Sequence, residues 1–120
     1  MEWCRGYEMS DKPIPKRTAG MWYRDLCASV ELLSHPPSTQ LEEMERWQTD
    51  WEAVARRFRF EWAEFKKLNQ EPVPPKLTDR LDWLARSIER LPPNTNFTDE
   101  RWADIRTTAR EILPSMRPWL

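Results

Sequence analysis

Side-chain catalysis needs a nucleophile with a base, or a metal set, and this chain offers little of either. His35 is the only histidine, and it stands in His35-Pro36-Pro37, a turn signal. A Ser-His-Asp arrangement could form only around it, and no GxSxG elbow is present to carry the serine. Zinc sites need clusters of Cys and His. Cys4 and Cys27 lie 23 positions apart, and neither belongs to a CxxC pair. Gly6 and Gly20 are the only glycines, so there is no Gly-rich loop to cradle a phosphate. Glu42 and Glu43 are adjacent carboxylates, but they fall in the first turn of a predicted helix, where the macrodipole favours acids for its own reasons. The reading is therefore a non-enzyme without cofactor or metal. The surviving enzymatic alternative works through carboxylates alone, and needs a carboxyl of strongly raised pKa in a cleft.

Residues suited to binding are better represented. In RRFRFEWAEFKK, residues 56 to 67, Arg56, Arg59, Lys66 and Lys67 cover one flank of a predicted helix, with Phe60 beside them. Residues 51 to 70 hold five basic and three acidic side chains, and residues 101 to 120 hold four and two, so each stretch is net +2. Residues 21 to 50 hold two basic and six acidic, net −4. A basic flank carrying a ring can grip single-stranded nucleic acid, cations on phosphates and ring on base. Arg106 and Arg110 would extend that surface from the last helix. The plainer reading is a solvated helix, since Glu52 with Arg56 and Arg57 with Glu61 are ordinary i,i+4 pairs.

A second set points to protein. Phe60 lies nearly opposite its helix's apolar stripe at about 100° per residue. Trp83 is likewise off its own stripe, beside Arg86 and Arg90, and Trp119 lies in the C-terminal tail. Trp and Arg dominate interface hot spots. The bland alternative is that Phe60 packs under another helix or under the closing RPWL.

The elements that position these residues follow from periodicity. Residues 1 to 17 show no period and read as an extended arm. A first helix opens at Thr18 as N-cap and runs to about Ser34, where His35-Pro36-Pro37 stops it. Thr39 and Glu42 have capping-box spacing. From Leu41 to Leu68 nine apolar residues recur at intervals of three or four, so FRFEW is helix rather than strand. The pattern predicts one unbroken central helix over residues 39–69, about 45 Å long. Leu77, Leu81, Leu84, Ile88 and Leu91 predict a third helix from Thr78 to Leu91. A fourth begins at Thr98, with Phe97 and Trp102 placed for a hydrophobic staple, and Pro114 is expected to end it. The fold expected is all-α, an elongated four-helix bundle on one long central helix, with an N-terminal arm (1–17), a single domain (18–120) and a short C-terminal tail.

Composition agrees with a small helical domain. The chain has 120 residues and formal charge −1, from 19 basic and 20 acidic residues. That balance argues against a dedicated duplex-DNA binder. Eleven Pro and two Gly suit helices joined by stiff turns, and eight Trp is a heavy aromatic load. No apolar run approaches the roughly 20 residues of a membrane span, and no signal-peptide core is visible, so a cytoplasmic protein with two free thiols is expected. Met9 opens MSDKP and would serve as a natural start, with residues 1–8 an upstream extension or a cloning scar. The expected function is an interaction module, a small subunit or regulator or inhibitor of a larger assembly that binds protein through aromatic and Arg side chains. The alternative is a nucleic-acid-handling subunit, and self-association is compatible with either.

Overall fold

The computed structural model describes residues 17–92, 95 and 97–119. The described residues form five α-helices: α1 (Ala19–Ser34), α2 (Pro37–Arg46), α3 (Trp51–Leu68), α4 (Pro75–Glu89) and α5 (Arg101–Met116). A 3₁₀ turn (Arg117–Trp119) closes them, and no strand occurs among the described residues. The expected arm lies outside the described residues except for Arg17, which packs back on α1, pairing with Asp25 and covering the Trp22 ring at 4.2 Å.

α1 starts as its sequence predicts. The Thr18 hydroxyl accepts from the Met21 amide at 3.2 Å. His35 is held in the extended region by the proline after it and ends the helix.

The long central helix is two helices. α2 begins at Pro37, whose fixed φ suits a first helical position, so Thr39 falls inside the helix and the Thr39–Glu42 capping box does not form. The chain then breaks at Trp47–Asp50. Gln48 has φ 51°, the only positive φ at a non-glycine among the described residues. Its amide donates to Glu45 O at 3.2 Å, and the Thr49 amide to Met44 O at 2.9 Å. Together these bonds make a Schellman motif with Gln48 in the position that usually takes glycine. Asp50 opens α3 by accepting from the Ala53 amide at 2.9 Å. The apolar spacing across the break is coincidental, because Trp47 is 70% exposed and α2 turns Gln40 and Met44 inward instead of Leu41.

α4 starts at Pro75, three residues before Thr78, and buries Leu77, Leu81, Leu84 and Ile88 as their spacing predicts. α5 starts at Arg101 rather than Thr98 and runs through Pro114 to Met116. Met116 is fully buried and its carbonyl accepts the Tyr23 hydroxyl at 2.8 Å, which anchors the extra turn. Phe97 and Trp102 are both buried, with ring centroids 4.7 Å apart.

α1 packs on α3 and α5, and α4 packs on α5 and α3, so these four helices close around one core. α2 lies at the side and sends in Gln40 and Met44. Gln40 is fully buried because it finishes α1: its Nε2 donates to the carbonyls of Leu32 and Leu33, each at 3.1 Å. Arg110 Nε donates to Ser34 O at 3.2 Å and Arg106 Nε to His35 O at 3.0 Å. The final carbonyls of α1, which no helical amide can reach, are thus met by side chains from α2 and α5.

Candidate partner-binding groove

The phase of α3, set by its Asp50 cap, turns Phe58, Trp62 and Phe65 into the core. Arg56, Phe60 and Ala63 then fall on the outer edge nearest α4. Burial of Leu81, Leu84 and Ile88 on α4 likewise leaves Asp82, Ala85, Arg86 and Glu89 facing α3. Between the two rows runs an open groove of about 520 Å³.

Its floor is a polar lock between the helices. Trp62 is 3% exposed, and its Nε1 donates to Asp82 Oδ1 at 2.7 Å. Lys66 Nζ donates to the same oxygen at 3.2 Å and lies 4.9 Å from the centre of the Trp62 ring. Partial burial pushes the Asp82 pKa up, but the bonds from Trp62 and Lys66 and the charges of Lys66 and Arg86 outweigh it and hold the carboxyl below its ordinary value. Above the floor, Arg59 pairs with Glu89 at 3.5 Å. Arg56 and Arg86 form no salt bridge among the described residues. Four cations and two carboxylates line the groove, net +2.

Phe60 forms the rim. It is neither buried under a helix nor loose: its ring meets the Trp22 ring edge-on, centroids 5.4 Å apart at 76°, yet it remains 57% exposed. An aromatic ring fixed on one side and open on the other costs little further entropy to bind against.

The groove gathers two of the residues expected to face protein, Phe60 and Arg86, with three of those expected to face nucleic acid, Arg56, Arg59 and Lys66. The rest lie elsewhere. Trp83 turns toward α5, beside Arg80 and Thr108. Arg90 is exposed at the C-terminal cap of α4. Lys67 pairs with Glu64 at 2.7 Å. Trp119 ends the 3₁₀ turn, and its side chain lies outside what the structure describes. Arg106 and Arg110 sit at the end of α1, remote from the basic flank they were expected to extend. Besides His35 O, the Arg106 guanidinium donates to Gln40 Oε1 at 3.1 Å and Phe97 O at 2.8 Å. Burial and the neighbouring Arg110 lower its pKa, but a guanidinium stays charged. Sequence reasoning missed Asp82, Ala85 and Glu89. Their i, i+3, i+7 spacing marks one stripe of α4, but nothing local says that this stripe meets α3.

Glu61 is a buried carboxylate: Ser29 Oγ donates to it at 2.5 Å and Arg57 Nε at 3.1 Å. Burial raises its pKa, and the bonds from Ser29 and Arg57 work against that rise. It is packed between α1 and α3 and does not line the groove. His35 Nδ1 is buried with no hydrogen-bond partner among the described residues. A cavity of about 410 Å³ beside the start of α1, walled by Phe65, Leu68, Val73 and Leu77, is mainly apolar and brings no cations together.

Among the described residues no helix is long and apolar enough to cross a membrane, and no group of three or more His, Cys, Asp or Glu could hold a metal ion. No family model, curated protein or solved structure matches the chain.

Proposed function

We propose that the chain is a non-enzymatic helical interaction module, a small subunit or regulator of a larger assembly, and that it takes its partner in the α3–α4 groove. The observation that supports this reading is Phe60. It is held by Trp22 yet more than half exposed, with the guanidiniums of Arg56 and Arg86, which form no salt bridge among the described residues, on the two walls beside it. Rigid aromatic rings and arginines are the residue types that carry most binding energy at protein interfaces.

The test is a binding assay on the native complex. Phe60→Ala and Arg86→Ala should each weaken association by about tenfold or more, the size expected of hot-spot residues. The far-UV circular dichroism melt of each should stay close to that of the parent. Unchanged affinity in both variants would remove the groove from the interface.

A single-stranded nucleic acid is the second reading, because cations flank an aromatic ring in the same groove. Against it stand the two carboxylates among those cations and the engagement of Arg106 and Arg110 at the end of α1. Binding to an oligonucleotide that falls steeply with salt would favour it.

A further inference from the structure

The groove has its chemical counterpart on the same chain. α2 buries Gln40 and Met44 and turns Leu41, Glu42 and Glu45 outward. Leu41 is 45% exposed, and Trp47, at the end of α2, is the most exposed large hydrophobic residue described, at 70%. The Trp47 indole is held over the last turn of α2 by its Nε1, which donates to Glu43 Oε2 at 2.9 Å. Glu42 and Glu45 form no salt bridge among the described residues. Residues 37–50 hold four acids and one base, net −3, against net +2 in the groove.

We propose that the outer face of α2 of a second copy of this chain occupies the α3–α4 groove. This deepens the reading of the groove as a protein-binding site and rests on it. Glu42 and Glu45 lie three apart, so they share one side of α2, and they face the guanidiniums of Arg56 and Arg86 on the opposite groove walls. Leu41, one turn before Glu45 on the same side of α2, supplies apolar surface to set against Phe60 and Ala85. An Arg–carboxylate pair of this kind is directional and makes two parallel hydrogen bonds where the geometry allows. The same chain cannot deliver its own α2, because the Schellman turn at Gln48 and the Asp50 cap fix the angle at which α2 leaves α3. Each copy carries both a groove and an α2, so two such contacts related by a twofold axis close a dimer. A single contact of this type is small, and doubling it moves the interface toward the roughly 1,600 Å² of stable complexes.

The experiment is sedimentation velocity across a concentration series with three proteins: the parent, R56E/R86E and E42R/E45R. The parent should associate, and more weakly in about 1 M salt, where the charges are screened. Each double variant should weaken self-association by more than tenfold. An equimolar mixture of the two should associate again, since each reversed groove then meets a reversed α2. All four positions are exposed, and circular dichroism on each variant checks the fold. A parent that stays monomeric throughout, or double variants that self-associate as the parent does, would overturn the proposal. Loss in both variants without recovery on mixing would also overturn it, because charge matching would then not be the cause. These outcomes leave the groove reading standing if Phe60→Ala still weakens the native complex, and that reading fails separately if it does not.

Discussion

Ser29 on α1 donates its hydroxyl to Glu61 on α3 at 2.5 Å, and both residues are buried. The bond joins the two helices at a point where the surrounding core is aliphatic and aromatic. It also governs a protonation equilibrium. Burial raises the Glu61 pKa, so the folded state holds its proton at pH values where the unfolded chain has released it. The folded protein therefore binds more protons in the window above the ordinary glutamate value, and this group's contribution to stability falls as pH rises through that window. Glu61→Gln keeps an acceptor for Ser29 and carries no charge to bury. Its melting temperature should depend less on pH between about 4.5 and 7 than the parent's. Calorimetry across that range checks this, and parallel curves would contradict it. Ser29→Ala should lower stability by about 1–3 kcal/mol by leaving the carboxylate without its buried donor.

Arg106 should behave as a core residue despite its charge. Its guanidinium joins α5 to the end of α1, to Gln40 on α2 and to the Phe97 carbonyl. Arg106→Ala leaves three acceptors short of a donor, and a loss of about 2 kcal/mol or more is expected in urea titration. Arg106→Lys should recover little of it, because a point charge cannot reproduce the fork. Arg110→Ala removes one bond at an exposed position and should cost about 1 kcal/mol or less.

The elbow between α2 and α3 gives an opposed pair of effects. Gln48 adopts a left-handed φ of 51°, which glycine takes without its side-chain penalty. Gln48→Gly should therefore stabilise the protein or leave it unchanged, despite the usual entropy cost of glycine. Asp50→Ala should destabilise it by about 1 kcal/mol through loss of the cap to Ala53. A stabilised D50A, or a Q48G that loses more than it does, would mean that the break is imposed by packing rather than by these two residues.

That elbow also shows what was legible in the sequence. Helix type, the inward faces of α1 and α4, the Thr18 cap and the inward phase of α3 all follow from local spacing. The break does not, because Trp47 and Trp51 stand four apart and continue the apolar period across it. Asp50 was the signal: a capping residue directly before a tryptophan, at a point where the period alone argues for continuity. The helices start at Pro37 and Pro75, ahead of the hydroxyl caps that Thr39 and Thr78 offer, because proline already has the φ that a first helical position needs. For the groove, the basic flank and Phe60 were readable on α3, and Arg86 was readable on α4. Their meeting was not, since the packing of α4 on α3 depends on contacts far apart in sequence. The same limit hid the structural role of Arg106, whose three acceptors lie 9 to 71 positions away.

Cys27 should be chemically quiet in the native protein. It is 6% exposed, and burial pushes its thiol up to about 11, even though the neighbouring Tyr23 hydroxyl and the charge of Arg117 favour the thiolate. In a Cys4→Ser background, native Cys27 should react with an alkylating reagent at pH 8 at least tenfold more slowly than the same protein in denaturant, because the thiolate is the nucleophile. Equal rates would show that the α1 face carrying Cys27 opens readily.

Asp82 contributes to stability with the opposite sign to Glu61. Its pKa is held below the ordinary value: burial opposes the shift, and the Trp62 and Lys66 hydrogen bonds outweigh it. The unfolded chain therefore takes up a proton first as pH falls, and the contribution of Asp82 is present above the ordinary aspartate value and lost as pH drops through the folded one. Asp82→Asn keeps an acceptor for Trp62 and gives up the ion pair with Lys66. It should cost about 1 kcal/mol at neutral pH, and the difference from the parent should shrink on acidification below about pH 4. Asp82→Asn also moves the groove from net +2 to net +3, so an acidic occupant should bind more tightly to the variant that is less stable. Stability and affinity changing in the same direction would show that the Trp62–Asp82 lock shapes the groove more than its charge does.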